Sequence, residues 1–120
     1  VAEDSDVIRE AIRRELTRAG FEVVAAEDGA VALEHARNEL FDAVSTDVMM
    51  PKLDGYELTR ALRKDPRYEK VPIVMVTSKD ARIDTLRGMD AGADLYLTKP
   101  ADAGELVRAL DSLLSKRKAG

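Results

Sequence analysis

The chain has 120 residues, a length that suits one domain with one hydrophobic core and is too short for two. Its aromatic content is only 4%, which disfavours a large aromatic cofactor cavity, and the lack of cysteine excludes disulfides and thiol chemistry. The net charge of −4 and the lack of a long apolar run disfavour nucleic acid and membrane as direct partners, and they favour a cytoplasmic location.

Helical and strand patterns alternate along the chain. Apolar residues recur at helical spacing in residues 6–19, between Ser5, which is placed to cap a helix, and Gly20, which is placed to end it. The segments that follow are predicted strands at 21–26, 41–46, 71–76 and 93–98, and predicted helices at 30–40, 55–64, 81–91 and 103–116. Residues 1–3 are left as the end of a first strand, which we expect to be truncated at the amino terminus.

This alternation predicts an α/β fold of the flavodoxin-like type. A doubly wound, five-stranded parallel sheet of order 2-1-3-4-5 would be flanked by five helices, which cover both faces. The strands lack the strict alternation of a half-exposed sheet, which agrees with burial on both faces. No internal linker or repeat interrupts the pattern, so residues 1–120 are predicted to form a single domain.

Polar residues follow the strands at one edge of this predicted sheet. In chain order, the strand ends carry Glu3 and Asp4, Asp47, Thr77, and Lys99. In an open parallel sheet, ligands bind outside the carboxyl ends of the strands, where the connection direction reverses. We therefore expect three carboxylates, a hydroxyl and an ammonium group to converge on one pocket.

The chemistry of these groups is complementary. Close carboxylates repel each other unless a cation joins them, and a divalent ion with carboxylate, water and phosphate ligands is typical of Mg²⁺. A carboxylate can attack phosphorus to form an aspartyl phosphate, while a hydroxyl and an ammonium group can bind the phosphoryl oxygens. A single acidic residue at a strand end is more often a helix cap, so the combination is what predicts phosphoryl chemistry.

Four motifs resemble the receiver domains of bacterial two-component response regulators, which have the fold of the chemotaxis regulators. The motifs are Glu3-Asp4-Ser5, residues 46–55 with the pattern Asp-x-Met-Met-Pro-x-x-Asp-Gly, residues 76–78, and residues 91–100 with Gly-Ala-Asp and Lys-Pro. The resemblance extends over essentially the whole chain, in the same order and with the same spacing.

The resemblance implies a phosphoacceptor and a switch. Asp47 matches the aspartate that takes the phosphoryl group, and Thr77 and Lys99 match the hydroxyl and the lysine that bind it. Thr77 and Tyr96 match the switch pair, in which the aromatic ring turns inward when the hydroxyl moves toward the phosphate.

The resemblance also implies a Mg²⁺ site. Asp4 matches the direct metal ligand, Glu3 the second acid, which acts mostly through water, and Asp47 the third carboxylate. The backbone carbonyl of Met49 matches the remaining protein ligand. Glu3 departs from the commoner aspartate, but its longer side chain should still reach a metal-bound water. Ser45 and Thr46 make the third strand less apolar than is usual in the family.

The implied function is signal transmission rather than turnover of a separate substrate. A histidine kinase or a histidine phosphotransfer domain would supply the phosphoryl group, and the chain would catalyse only its own phosphorylation and dephosphorylation. A downstream effector would bind the face made by helix 81–91, strand 93–98 and helix 103–116. Met49 and Lys79 occupy positions that control access of water, and the apolar Met49 favours slow self-dephosphorylation.

Other interpretations of the same residues stay open. The chain could be a receiver-like docking module that is not phosphorylated, or the receiver of a hybrid, chemotaxis-type histidine kinase. A haloacid-dehalogenase-like phosphatase would need a second aspartate where Met49 stands, and the P-loop motif is absent from the sequence. His35 is predicted to be a plain surface residue rather than a phosphorylation site.

Overall fold

The computed structural model describes residues 1–77, 92–98 and 103–119. The helix predicted at 81–91 and the predicted site residue Lys99 lie outside them. The described helices are α1 (Asp6–Arg18), α2 (Gly29–Asn38), α3 (Gly55–Arg63) and α4 (Ala103–Ala119), with a short 3-10 helix at Pro66–Tyr68. The described strands are β1 (Val44–Asp47), β2 (Ile73–Thr77) and β3 (Leu95–Thr98). Within these ranges, no helix combines the length and the apolar character needed to cross a membrane.

Polar side chains set the starts of the first three helices. Ser5, Asp28 and Asp54 each accept a hydrogen bond from the backbone N–H three residues further on, which satisfies a donor that the helix itself leaves unpaired. Asp54 also forms a capping box, because the Glu57 side chain accepts a hydrogen bond from the Asp54 N–H. The helix starts therefore follow from short-range sequence signals.

The sheet is parallel throughout its described part. β1 pairs with β2, and β2 pairs with β3, so these strands confirm the third, fourth and fifth strands of the prediction. Ala2 forms parallel bridges with both Ala26 and Thr46, which places the first segment between the segment at Ala26 and β1. In the numbering of the prediction, the first segment is strand 1, the segment at Ala26 is strand 2, and β1, β2 and β3 are strands 3, 4 and 5. The spatial order of these segments is then the predicted 2-1-3-4-5.

The predicted strand at 21–26 is wrong in its extent. In the structure this segment forms only a single bridge, at Ala26. A strand requires a neighbouring backbone along its whole length, and residues 1–3 are too few to supply one. The described residues therefore confirm three strands of the predicted five, with single bridges at the first and second positions.

The core lies on both faces of the sheet. Along β2, Ile73 and Met75 belong to a cluster with residues of α2 and α3, while Val74 and Val76 belong to a cluster with residues of α1 and α4. All four side chains are at most 4% exposed. A central strand that is apolar on both faces is what a parallel sheet covered on both sides requires.

Arg63 connects the end of α3 to the segment before β3. Its Nη1 donates to the backbone oxygens of Tyr68 and Val71, both at 2.7 Å. Its Nε donates to the Gly92 oxygen and its Nη2 to Asp94 Oδ2, both at 2.9 Å. Its Nη1 also donates to the Glu69 oxygen at 3.3 Å, so one guanidinium group satisfies four backbone carbonyls and a carboxylate, which fixes the approach to β3.

We predict that Arg63→Ala lowers the free energy of unfolding by about 3 kcal/mol, because it leaves several partly buried acceptors without their donor. Urea unfolding measures the loss. The matched control is Arg60→Ala, which removes an exposed arginine from the same helix and should change stability by less than about 0.5 kcal/mol. Equal losses in the two variants would contradict this account of Arg63.

Candidate functional site

Backbone pairing brings the first segment of the chain to the end of β1. The Ala2 N–H donates to the Ser45 oxygen, and the Asp47 N–H donates to the Ala2 oxygen, both at 2.8 Å. Glu3 and Asp4 follow Ala2 directly, so they leave the sheet beside Asp47. Acids that are far apart in sequence therefore meet at the carboxyl edge of the sheet, as predicted.

Three carboxylates form one cluster at this edge. One oxygen each of Glu3, Asp4 and Asp47 lies within 4.8 Å of the other two. Oxygens on opposite sides of a Mg²⁺ ion with ligand distances of about 2.1 Å are about 4.2 Å apart, so small side-chain rotations would bring these atoms into one coordination shell. Glu3 is 2% and Asp47 7% exposed, whereas Asp4 is exposed to solvent. The all-oxygen donor set fits a hard divalent cation.

The Asp47 carboxylate is held by the backbone that follows it. Its Oδ1 accepts a hydrogen bond from the Val48 N–H at 2.8 Å, and the Val48 oxygen accepts one from the Gly55 N–H at 2.8 Å. A Cβ atom on residue 55 would lie 2.2 Å from the Asp47 oxygen. Only glycine allows α3 to begin this close to β1, a role that sequence reasoning missed although the Asp-Gly pair that opens the helix could have indicated it.

Two further contacts account for departures from the usual pattern. The Thr46 hydroxyl donates to the Asp47 backbone oxygen at 2.9 Å, which satisfies a polar side chain that is 1% exposed. Glu3 Oε2 accepts a hydrogen bond from the Ser5 N–H at 3.1 Å. The longer side chain of Glu3 is therefore bent toward the start of α1, and its carboxylate stays within the acidic cluster.

The structure describes the remaining predicted site residues only in part. Thr77 is the last residue of β2, and because Asp47 is paired with Val76, Thr77 lies one position further toward the same edge. Met49 follows two residues after Asp47 and is 72% exposed. Lys99 lies outside the described residues, so its predicted role stays a prediction.

Tyr96 lies in β3 with its ring against the core. It is paired with Met75 and packs on the cluster formed with α2 and α3. Its hydroxyl oxygen is buried and has no hydrogen-bond partner among the residues that the structure describes. A buried hydroxyl without a partner costs about 1–3 kcal/mol, so the inward position of the ring leaves this hydroxyl unsatisfied among the described residues.

Comparison with known proteins identifies the family. Residues 1–111 match the family model of the response regulator receiver domain. The chain belongs to this family. Response regulator MprA from Mycobacterium sp. (strain KMS) is 41% identical over 116 residues, which are 97% of this chain and 50% of MprA. The chain thus spans about half the length of the curated relatives it matches.

Solved receiver structures have a similar fold. The chemotaxis protein CheY4 of Vibrio cholerae is 34% identical, with a TM-score of 0.88 and 93% of each chain covered. The receiver domain of a sensor histidine kinase from Pseudomonas aeruginosa, solved with a magnesium ion in its active-site cleft, is 32% identical, with a TM-score of 0.87 and coverage of 95% of this chain and 93% of that one. The predicted α/β receiver fold with a parallel sheet is therefore confirmed, and the domain is a phosphoacceptor of a two-component system.

We predict that Gly55→Ala weakens Mg²⁺ binding, because the added methyl group must push α3 away from the Asp47 backbone. Stability should also fall, by about 1–3 kcal/mol. The matched control is Gly29→Ala at the start of α2, where the new Cβ would lie 2.0 Å from the Leu53 backbone oxygen. Both variants should lose stability in urea, but calorimetric Mg²⁺ titration should change only for Gly55→Ala. Unchanged Mg²⁺ binding in a folded Gly55→Ala protein would contradict the prediction.

Proposed function

We propose that Asp47 is the residue of this receiver domain that accepts the phosphoryl group. The supporting observation is its position in the acidic cluster: its carboxylate lies within 4.8 Å of Glu3 and Asp4 oxygens, and the Val48 N–H fixes one of its own oxygens. Asp47 also ends a strand whose neighbour, β2, ends in Thr77. These backbone positions support Asp47 as the acceptor.

The proposed reaction transfers the phosphoryl group from a phosphohistidine. An Asp47 carboxylate oxygen attacks phosphorus as the bond between phosphorus and the imidazole nitrogen breaks, and that nitrogen keeps the electron pair. The product is an acyl phosphate on Asp47, and the donor imidazole takes up a proton from solvent to become a neutral histidine. Thr77 and Lys99 would then hold the phosphoryl oxygens by a hydrogen bond and an ion pair. The donor would be a histidine kinase or a histidine phosphotransfer domain.

The same cluster is the proposed Mg²⁺ site. Asp4, which is exposed, and Asp47 would bind the ion directly, together with the backbone carbonyl of Met49. Glu3 is buried and hydrogen-bonded to the Ser5 N–H, so it would act through a metal-bound water. Bound Mg²⁺ supplies positive charge that offsets the charge of the phosphoryl oxygens during transfer.

The proposed switch runs from the site to the surface through β2 and β3. Thr77 would move toward the phosphoryl group and Tyr96 would respond, which changes the face made by helix 81–91, β3 and α4. Driving such an equilibrium from 1:99 to 99:1 takes about 5.5 kcal/mol of differential interaction. A doubly charged group beside a lysine and a metal ion is a reasonable source for much of it. A downstream effector would read this face.

The output of the whole protein is also a proposal, because the curated relatives extend well beyond the matched part. A response regulator is favoured by the likeness to MprA. A hybrid histidine kinase is the second candidate, favoured by the likeness to the Pseudomonas aeruginosa kinase receiver. A chemotaxis role has support only from the likeness to CheY4. The presence of all three acids in the cluster argues against a docking module that is never phosphorylated.

The cytoplasmic location, the absence of direct nucleic-acid contact, and the lack of turnover of a separate substrate stay predictions.

We predict that Asp47→Ala abolishes phosphorylation by acetyl phosphate and Mg²⁺, because it removes the nucleophilic oxygen. Intact-mass spectrometry should show the added phosphoryl group on the unchanged protein only. The matched control is Asp54→Asn, which changes a nearby acid but keeps a residue that caps helices well, and it should be phosphorylated normally. If Asp47→Ala still gains the phosphoryl mass, the proposed acceptor is wrong.

We predict a graded loss of Mg²⁺ affinity across the cluster. Glu3→Gln should weaken binding about tenfold, as expected for a group that acts through water, and Asp4→Asn should weaken it more. Calorimetric titration measures both. Asp6→Asn is the control, because Asp6 has 87% of its side chain exposed and pairs with Arg9 instead. A loss in Asp6→Asn as large as in Asp4→Asn would show that general surface charge, not this cluster, attracts the ion.

A further inference from the structure

Arg9 lies near the start of α1, and its side chain is more buried than those of the other arginines of this helix. The Arg9 side chain is 20% exposed, whereas the other three are 41–76% exposed. Each of the four pairs with an acid of α1: Arg9 with Asp6, Arg13 and Arg14 with Glu10, and Arg18 with Glu15. A surface ion pair of this kind contributes little and does not require burial, so the position of Arg9 indicates a further role.

The Arg9 guanidinium group contacts the segment that precedes α1. Its Nη1 donates to the Glu3 backbone oxygen at 2.9 Å, while its Nη2 pairs with Asp6 Oδ1. The N–H groups of a guanidinium form a rigid planar fork, so the pair with Asp6 directs Nη1 toward Glu3. The Arg9 N–H also donates to the Ser5 oxygen at 2.8 Å. Arg9 therefore ties α1 to the backbone that carries the first two acids of the cluster.

The Glu3 oxygen belongs to the peptide unit that joins Glu3 to Asp4. The neighbouring segment holds the chain up to the Glu3 N–H, which donates to the Ala26 oxygen at 3.0 Å. Asp4 follows beyond this bond and is exposed to solvent. Because a peptide unit is planar, the hydrogen bond from Arg9 to its oxygen fixes the direction in which the chain enters Asp4.

Arg9 acts on a cation in the cluster in two ways that have opposite signs. As a positive charge it repels the ion, which weakens binding, and salt screens this repulsion. As a donor to the peptide unit before Asp4 it keeps a metal ligand in place, which strengthens binding. Loss of a group that orients a metal ligand costs about 10–100-fold in affinity, so we expect the orienting effect to be the larger.

We propose that Arg9 is a positioning residue for the Mg²⁺ site, because it holds the peptide unit that directs Asp4 toward the ion. The inference rests on the proposed Mg²⁺ site and adds to it a residue that does not touch the ion. Glu3 has two further contacts, from its N–H to Ala26 and from its Oε2 to the Ser5 N–H. Loss of the Arg9 side chain should therefore affect Asp4 more than Glu3.

The first test measures Mg²⁺ affinity by calorimetric titration. Arg9→Ala should weaken binding by about tenfold. Arg9→Lys keeps the charge but has no fork to join Asp6 to the Glu3 oxygen, and it should weaken binding by at least about threefold. The matched control is Arg14→Ala, which removes the same charge from a side chain that is 70% exposed in the same helix, and it should bind Mg²⁺ normally. Urea unfolding establishes that each variant is folded during the titration, and Arg9→Lys carries the test if Arg9→Ala does not fold.

The second test measures backbone order by NMR without Mg²⁺. In Arg9→Ala the order parameter of the Asp4 amide should fall from about 0.85, the value of rigid backbone, to below about 0.6. The order parameter of the Asp47 amide should not change, because the Asp47 N–H donates to the Ala2 oxygen within the sheet. Asp6→Asn keeps an acceptor oxygen for Nη2 and should leave the Asp4 amide ordered. A purely structural role of Arg9 in α1 would lower order along the helix rather than at Asp4.

The outcomes separate the role of Arg9 from the metal site itself. Tighter or unchanged Mg²⁺ binding by folded Arg9→Ala would overturn the proposal, as would normal binding by Arg9→Lys. An equal loss of affinity in Arg14→Ala, or an Asp4 amide that stays ordered in Arg9→Ala, would also overturn it. If the unchanged protein does not bind Mg²⁺ at all, the proposed metal site is wrong, and the inference fails with it.

Discussion

Backbone pairing, and not attraction between side chains, holds the three acids of the site together. Ala2 is hydrogen-bonded to Ser45 and Asp47 on one side. On the other side its neighbours Val1 and Glu3 are hydrogen-bonded to Ala26, and this fixes where Glu3 leaves the sheet. Two buried unit charges 4.8 Å apart would repel by about 3.5 kcal/mol at an effective dielectric constant of about 20. A bound cation would offset this repulsion.

The surroundings of the site show the same conflict between stability and function. Thr46 places a hydroxyl in a buried strand, where its hydrogen bond to the Asp47 oxygen satisfies it. The Tyr96 hydroxyl is buried without a partner among the described residues. Gly55 gives up side-chain packing so that α3 can begin against the Asp47 backbone. Thr46 and Gly55 thus mark departures from a fully apolar core directly beside Asp47, as is expected where function constrains the fold.

Sequence reasoning succeeded where the cause was local and failed where it was not. Ser5 predicted the start of a helix because capping needs only the next three residues. The meeting of the acids was predictable because parallel strands share one carboxyl edge. The strand at 21–26 failed because a strand depends on a neighbour that its own residues do not reveal. The contact of Gly55 with Asp47 depends on the approach of α3 to β1, which no pattern of hydrophobic residues records.

The first segment connects the acidic cluster to the backbone pairing of the sheet. Glu3 and Asp4 are positioned by the backbone of Val1 and Ala2, which is anchored by hydrogen bonds to the segments on either side. Metal and phosphoryl sites need their groups held within about 0.5 Å of the productive geometry. The precision of the acidic cluster therefore depends on the backbone pairing of the first segment with its neighbours, and not on contacts between the acids themselves.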